Sequence, residues 1–194
     1  MSEMAVEQMV SRVIRQVVKI SSPEGSHGSG MVVHGELILT ALHVVDGAPG
    51  LFVRFYSGEA IEADCIAADP TTDLALLRLR QSPRTIPPDQ LDAILLEEEK
   101  LEPGEIMIAI GHPLGLDWSV TGGHFNAIRA PGEEPLTSFG IDLACPLVQV
   151  DTTINPGNSG GPILDLAGRL AGIADSMINP GIANNIGFAI HVSA

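Results

Sequence analysis

The strongest constraint on the fold is punctuation. From residue 30 onward, short apolar runs are broken repeatedly by Gly, Pro and Asp, and 21 glycines and 14 prolines supply the turns. Candidate strands fall at 31–34, 37–40, 51–56, 60–67, 74–79, 106–111, 147–151, 162–165, 169–174 and 186–190. Short strands at this spacing with turn signals between them predict an all-β barrel or sandwich. Leu74-Ala75-Leu76-Leu77 and Ile106-Met107-Ile108-Ala109-Ile110 are continuously apolar, the pattern of strands buried on both faces. Residues 80–89 are polar and Pro-rich, and an acidic stretch runs from Glu97 to Glu102, so this region connects two β halves. At roughly 150 residues per domain, the 194 residues make a single domain of two halves. The expected boundaries are about 1–85 and 103–194, with the connection at 86–102.

Ahead of the strands, Val6, Met9, Val10, Val13, Ile14, Val17 and Val18 recur at helical spacing. The β-branched run Val17-Val18-Lys19-Ile20 suits a first strand equally well. We therefore expect a short helix near 4–15 that leads into that strand and covers one end of the core.

Composition removes several function classes. A formal charge of −14 argues against nucleic-acid binding, which needs clustered Lys and Arg. No apolar run reaches the ~18 residues of a membrane-spanning helix. The first ten residues mix acids into what would be the basic region of a signal peptide. That fits either a protein working inside the cell or a trimmed extracytoplasmic form, and the compartment stays open. Cys65 and Cys145 stand without CxxC or histidine-spaced partners, so no zinc site is expected, while one disulfide remains open. Neither a metal nor a cofactor is expected.

The segment with the most chemistry is Asn155-Pro156-Gly157-Asn158-Ser159-Gly160-Gly161-Pro162. A serine between glycines is sterically open, and glycine lets other backbone groups approach closely. Acyl transfer needs such a hydroxyl with amide groups nearby for a developing oxyanion. Alone, the segment is as well read as an ordinary tight turn. A serine also needs a base and an orienting acid. His43 sits inside the apolar run Leu39–Val45, where a buried structural histidine is the commoner explanation. Asp73 opens the apolar strand that begins at Leu74, as many turn residues do. Taken together, the order His, Asp, Ser is that of one catalytic-triad lineage.

Those three segments resemble the trypsin-like serine proteases, and within them the HtrA/Deg branch. Further matches are Gly28-Ser29-Gly30, Leu39-Thr40, Gly111–Leu116, Ser119-Val120-Thr121, Gln149-Val150-Asp151, Gly168, Gly172-Ile173 and Ile186–Ile190. They run from about residue 17 to 190. At common residue frequencies the Gly-Asn-Ser-Gly-Gly-Pro hexamer arises by chance in roughly one chain in 10⁵ of this length.

The resemblance implies two six-stranded antiparallel β-barrels of the chymotrypsin fold, with a short N-terminal helix. It implies that Ser159 attacks the scissile carbonyl, His43 moves the proton and Asp73 orients His43. The oxyanion hole would come from Gly157 and Ser159, with Asn158 between them. The primary pocket would be lined by Thr153, Ile154, Met177 and Ile178. With Thr153 in place of an acid, cleavage after small or medium aliphatic residues is expected. Substrate would add as a strand beside Gly172, Ile173 and Ala174. Activation through a new N-terminus is not expected, because Asn158 stands where that switch needs an aspartate. Loops 130–146 and 176–185 would control activity instead.

The implied function is a serine endopeptidase for unfolded or flexible polypeptides, in protein quality control and stress response. The alternative is a latent polypeptide-binding or chaperone-like module using the same cleft. Family members carry PDZ domains and form trimers through aromatic N-terminal contacts. The sequence ends at Ala194, which fits a protease domain alone or a stand-alone protease. Residues 1–20 hold no aromatic residue, so a homotrimer rests on resemblance only. His27, His34, His112, His124 and His191 are expected to be structural or solvated, and Asp151, Asp165 and Asp175 to be turn or surface acids.

Overall fold

A computed structural model describes residues 3–25, 27–86, 93, 101–178 and 184–193. Strands β1 (Val17–Ser21), β2 (His27–His34), β3 (Leu37–Ala41), β4 (Leu51–Phe55), β5 (Ala60–Asp69) and β6 (Leu74–Leu79) close one antiparallel barrel in the order β1-β2-β3-β6-β5-β4. A second ring, β7-β8-β9-β12-β11-β10, is built from β7 (Ile106–Gly111), β8 (Ser119–Arg129), β9 (Leu147–Val150), β10 (Pro162–Leu164), β11 (Leu170–Met177) and β12 (Gly187–His191). The all-β, two-barrel architecture is as expected. Of the expected connection at 86–102, residues 87–92 and 94–100 lie outside the described residues.

Each barrel fills its own interior by period-two alternation. Along β4, Leu51, Val53 and Phe55 are buried while Phe52 and Arg54 face outward. Phe55, Ile20, Ile61 and Leu77 meet inside the first barrel, and Met107, Phe125, Val148 and Ile163 inside the second. Burying a side chain of this size stabilises by about 1.5–3 kcal/mol. Helix α1 (Glu3–Val13) precedes the first barrel yet lies across both: Met9 and Val13 pack with Val17 and Met31, and with Ile110, Leu164 and Ile173. Arg12 donates to the Ala167 carbonyl and so ties the helix to the turn after β10. No described helix is long and apolar enough to cross a membrane.

The seam between the barrels positions everything that follows. Ser29 on β2 donates its amide to the Ser159 carbonyl at 2.9 Å and its hydroxyl to the Gly157 carbonyl at 2.7 Å. The Ser29 carbonyl accepts the Thr40 hydroxyl at 2.7 Å. Gly160 has φ +82, and a Cβ there would run into the Ser29 carbonyl oxygen and Thr40 Oγ1. Only glycine lets the second barrel come this close. On the outside, Asp117 binds Lys19 and Arg54 of the first barrel, and Trp118 Nε1 donates to the Val17 carbonyl at 3.2 Å.

His112 is fully buried beneath this seam, against Trp118 at 4.7 Å between ring centres. Its Nδ1 is 2.9 Å from Ser29 Oγ, and its backbone N–H donates to the same oxygen at 3.1 Å. Since the single Ser29 proton goes to Gly157, His112 Nδ1 must carry the other one and donate. Nε2 is then bare, and it is buried without a partner. Burial pushes this imidazole down to about 4.

Two tests follow from the seam. Gly160→Ala combines a left-handed backbone penalty of ~1–2 kcal/mol with overpacking of ~1–3 kcal/mol. At ~2–4 °C per kcal/mol for a chain of this size, Tm should fall by about 10 °C, and an unchanged Tm contradicts the seam geometry. His112 gives a pH dependence. The unfolded chain takes up its proton near 6.5 while the folded chain refuses it until about 4. The stability this neutral imidazole contributes is complete above pH 6.5 and lost on acidification towards 4, by at most about 3 kcal/mol. The difference in unfolding free energy between the native chain and His112→Asn should shrink across that window. A pH-independent difference would show that His112 titrates normally.

Candidate functional site

The short helix α2 (Leu42–Val45) follows β3 directly and sets His43 at the mouth of the seam. Asp73 precedes β6 with φ +56, a left-handed conformation that aspartate tolerates better than most residues. This conformation lets Asp73 bind the His43 turn three times. Its carbonyl accepts the Leu42 N–H at 2.7 Å, Oδ1 accepts the His43 N–H at 3.0 Å, and Oδ2 accepts Nδ1–H at 2.5 Å. With Nδ1 committed, Nε2 is the nitrogen free to take a proton. The hydrogen bond to Asp73 raises the His43 pKa, with partial burial working against it. Burial alone would push the Asp73 carboxyl up, but the hydrogen bonds from His43 and Asp175 leave it below the usual range.

Ser159 arrives from the other barrel, on the loop between β9 and β10. Gly157 has φ +102, and a Cβ there would strike the His112 carbonyl, so the loop requires glycine at this position. The Asn158 amide is used internally, donating to the Asn155 carbonyl at 2.9 Å. No acceptor among the described residues meets the amides of Gly157 or Ser159. Asn158 is buried and its Nδ2 donates to the Thr153 carbonyl at 3.2 Å, tying this loop to the pocket beside it. The Ser159 hydroxyl donates to the Asp175 carbonyl at 3.2 Å.

A cavity of about 220 Å³ opens beside this loop. Thr153, Ile154, Met177 and Ile178 all line it, with Thr152, Asn155 and Asn184–Gly187, and no charged side chain is among them. The structure thus brings together the four residues expected to form a pocket. The residues expected to receive a substrate strand present no free edge, however. Gly172, Ile173 and Ala174 have both edges occupied: Gly172 and Ile173 pair with β10 as well as β12, and the Ala174 N–H and carbonyl bond Gly161 and Gly160. The edge of β11 left open by β10 lies further on, at Ser176 and Met177, which pair only with Phe188 and Gly187 of β12. Of the loops expected to control activity, 130–146 is anchored by the Ala144 N–H on the Thr71 carbonyl at 2.8 Å. Residues 179–183 of the other lie outside the described residues.

Asp175 also departs from expectation. Asp165 is indeed a turn acid, accepting from the Ala167 and Arg169 amides, and Asp151 is a surface acid paired with His124. Asp175, by contrast, is turned inward with its side chain 10% exposed, and Oδ1 lies 3.9 Å from His43 Nδ1. A register shift between Ala174 and Ser176 makes Asp175 a bulge residue, and a bulge re-aims a side chain. Burial, with the Asp73 charge beside it, pushes its carboxyl up to about 6. Sequence alternation gives no sign of a bulge, so the residue looks like any acid near a strand end.

His43, Asp73 and Asp175 are also the described set of possible metal donors, all within 4.8 Å of one another. Donors around a tetrahedral zinc at ~2.0–2.2 Å stand roughly 3.3 Å apart. The 2.5 Å contact between His43 and Asp73 is the spacing of a shared proton. Both cysteines are free, Cys65 exposed and Cys145 buried, which closes the open disulfide question.

Known proteins place this geometry. The family model of the trypsin-like peptidase domain matches residues 28–173. A probable periplasmic serine endoprotease, DegP-like, of Marinomonas sp. is 39% identical over 150 residues, 76% of this chain and 29% of that protein. The serine protease Do-like HtrA of Bacillus subtilis is 37% identical over 173 residues, 86% of this chain and 37% of that protein. The solved structure of the HtrA-type protease AlgW with tripeptide superimposes with a TM-score of 0.82 at 31% identity, covering 97% of this chain and 60% of that one. The chain spans about a third of the length of these curated relatives. It belongs to the trypsin-like peptidase family, among the HtrA/DegP-like serine endoproteases.

Proposed function

We propose that the chain cleaves unfolded or flexible polypeptides as a serine endopeptidase, after small or medium aliphatic residues, in protein quality control under stress. The observation that carries this is the 2.5 Å His43–Asp73 hydrogen bond beside a glycine-bounded serine, with the Gly157 and Ser159 amides meeting no acceptor among the described residues. Ser159 Oγ attacks the scissile carbonyl carbon as its proton passes to His43 Nε2. The amides of Gly157 and Ser159 hold the resulting oxyanion. As the C–N bond breaks, His43 returns the proton to the leaving amine, and an acyl-enzyme remains. Water then attacks the ester, again through His43, and releases the acid with Ser159 restored. Each oxyanion donor of this kind contributes about 10²–10³ in kcat.

Substrate class follows from shape. The open edge at Ser176 and Met177 suits an extended chain, which a folded substrate presents poorly. The uncharged cavity beside Thr153 and Ile154 suits an aliphatic side chain, with broad preference because one methylene is worth only ~1–3 kcal/mol there. The Ser159 hydroxyl bonds the Asp175 carbonyl, which also fits a latent chain-binding module until the hydroxyl rotates to His43.

A fluorophosphonate probe separates the two. Intact mass should show one adduct, absent in Ser159→Ala, and Asp73→Asn should slow labelling by about 10⁴-fold. Peptide profiling should then place Val, Ala or Leu before the scissile bond. An unlabelled native chain supports the binding module, and a Lys or Arg preference contradicts the pocket assignment.

A further inference from the structure

The Asp175 carboxyl has no part in the mechanism above, yet this residue reaches the whole site. Its carbonyl holds the Ser159 hydroxyl, its Oδ1 lies 3.9 Å from His43 Nδ1, and the donor atoms of His43, Asp73 and Asp175 all lie within 4.8 Å of one another. The β11 bulge aims it there. Two ionised carboxylates against one imidazole repel each other, so one of them keeps a proton more readily than usual. The surroundings do not relieve this: Cys145 lies within electrostatic reach of Asp175 and Asp73, Asp69 lies within reach of Cys145, and Asp142 lines the cavity shared with His43, Asp73 and Asp175. Apart from His43 itself, none of these groups is a cation.

We propose that Asp175 is a positioning residue of the triad, whose protonated carboxyl donates to Asp73 and holds that carboxylate against His43 Nδ1. This rests on the catalytic roles assigned above to Ser159, His43 and Asp73. With one proton on the acid pair, the cluster carries a single negative charge and His43 can give up its own proton. When Asp175 ionises, a second negative charge faces the imidazole and His43 holds its proton more tightly. Neutral His43 therefore appears through two coupled ionisations. An asparagine at 175 would keep the donor and remove the second ionisation.

The test uses the full chain. In a Ser159→Ala background, the His43 ring is followed by ¹³C NMR against pH, with and without Asp175→Asn. The native cluster should titrate in two coupled steps, and the Asn chain in a single step at lower pH. In the Ser159 chain, fluorophosphonate labelling of Asp175→Asn should reach a plateau within about threefold of native, with its acid limb moved to lower pH. Asp175→Ala, lacking the donor, should plateau at least about tenfold slower, the scale of one hydrogen bond to a charged group. Superimposable His43 titrations overturn the proposal, and the Asn chain decides it even if the Ala chain fails to fold. A native chain that never labels defeats the catalytic roles instead, a failure the NMR comparison does not share.

Discussion

The site depends on one seam, and the seam depends on Ser29. His43 and Asp73 belong to one barrel, while Ser159, the loop at 155–158 and Asp175 belong to the other. Catalysis of the proposed kind tolerates misplacement of only fractions of an ångström, so two separately folded cores must meet in fixed register. Ser29 supplies that register with two hydrogen bonds across the seam, its amide to the Ser159 carbonyl and its hydroxyl to the Gly157 carbonyl, while its own carbonyl accepts the Thr40 hydroxyl within the first barrel. Gly160 removes the Cβ that would hold the barrels apart. The helix α1 and the Lys19–Asp117–Arg54 cluster close the same seam from outside.

The seam also sets the chemistry of its two most buried titratable side chains. His112, sealed beneath the Gly157 loop, is kept neutral by burial and fixed in one tautomer by Ser29. Asp175, sealed against the His–Asp pair, is pushed the opposite way, towards a proton it would shed in water. Each is neutral at mildly acidic pH.

Much of this was legible in the sequence. Period-two runs such as Leu51–Phe55 and the continuous apolar stretch at 106–110 mark the barrels, because strands must alternate or be buried on both faces. The order of His43, Asp73 and the Gly-bounded Ser159, with the resemblance of the segments around them to trypsin-like serine proteases, points to the candidate site. The longest strand, β8, escaped because Gly122 and Gly123 break its apolar signal. Gly123 is there because a Cβ would collide with Asp151 and Thr152, a constraint from a distant segment. Which part of β11 has a free edge is not legible, since sequence gives no sign that β10 covers Gly172–Ile173 and stops before Ser176. Asp175 was misjudged for a related reason: the bulge that turns it inward is a property of pairing with β12.

The most direct measurement is a crystal structure of the chain phosphonylated on Ser159. The phosphonyl oxygen should sit 2.7–3.1 Å from both the Gly157 and Ser159 amides, with His43 Nδ1 still on Asp73 Oδ2 and the barrels unmoved. An adduct whose oxygen faces solvent, with the Gly157 amide turned away, would contradict a preformed hole and a seam that fixes the site before substrate arrives.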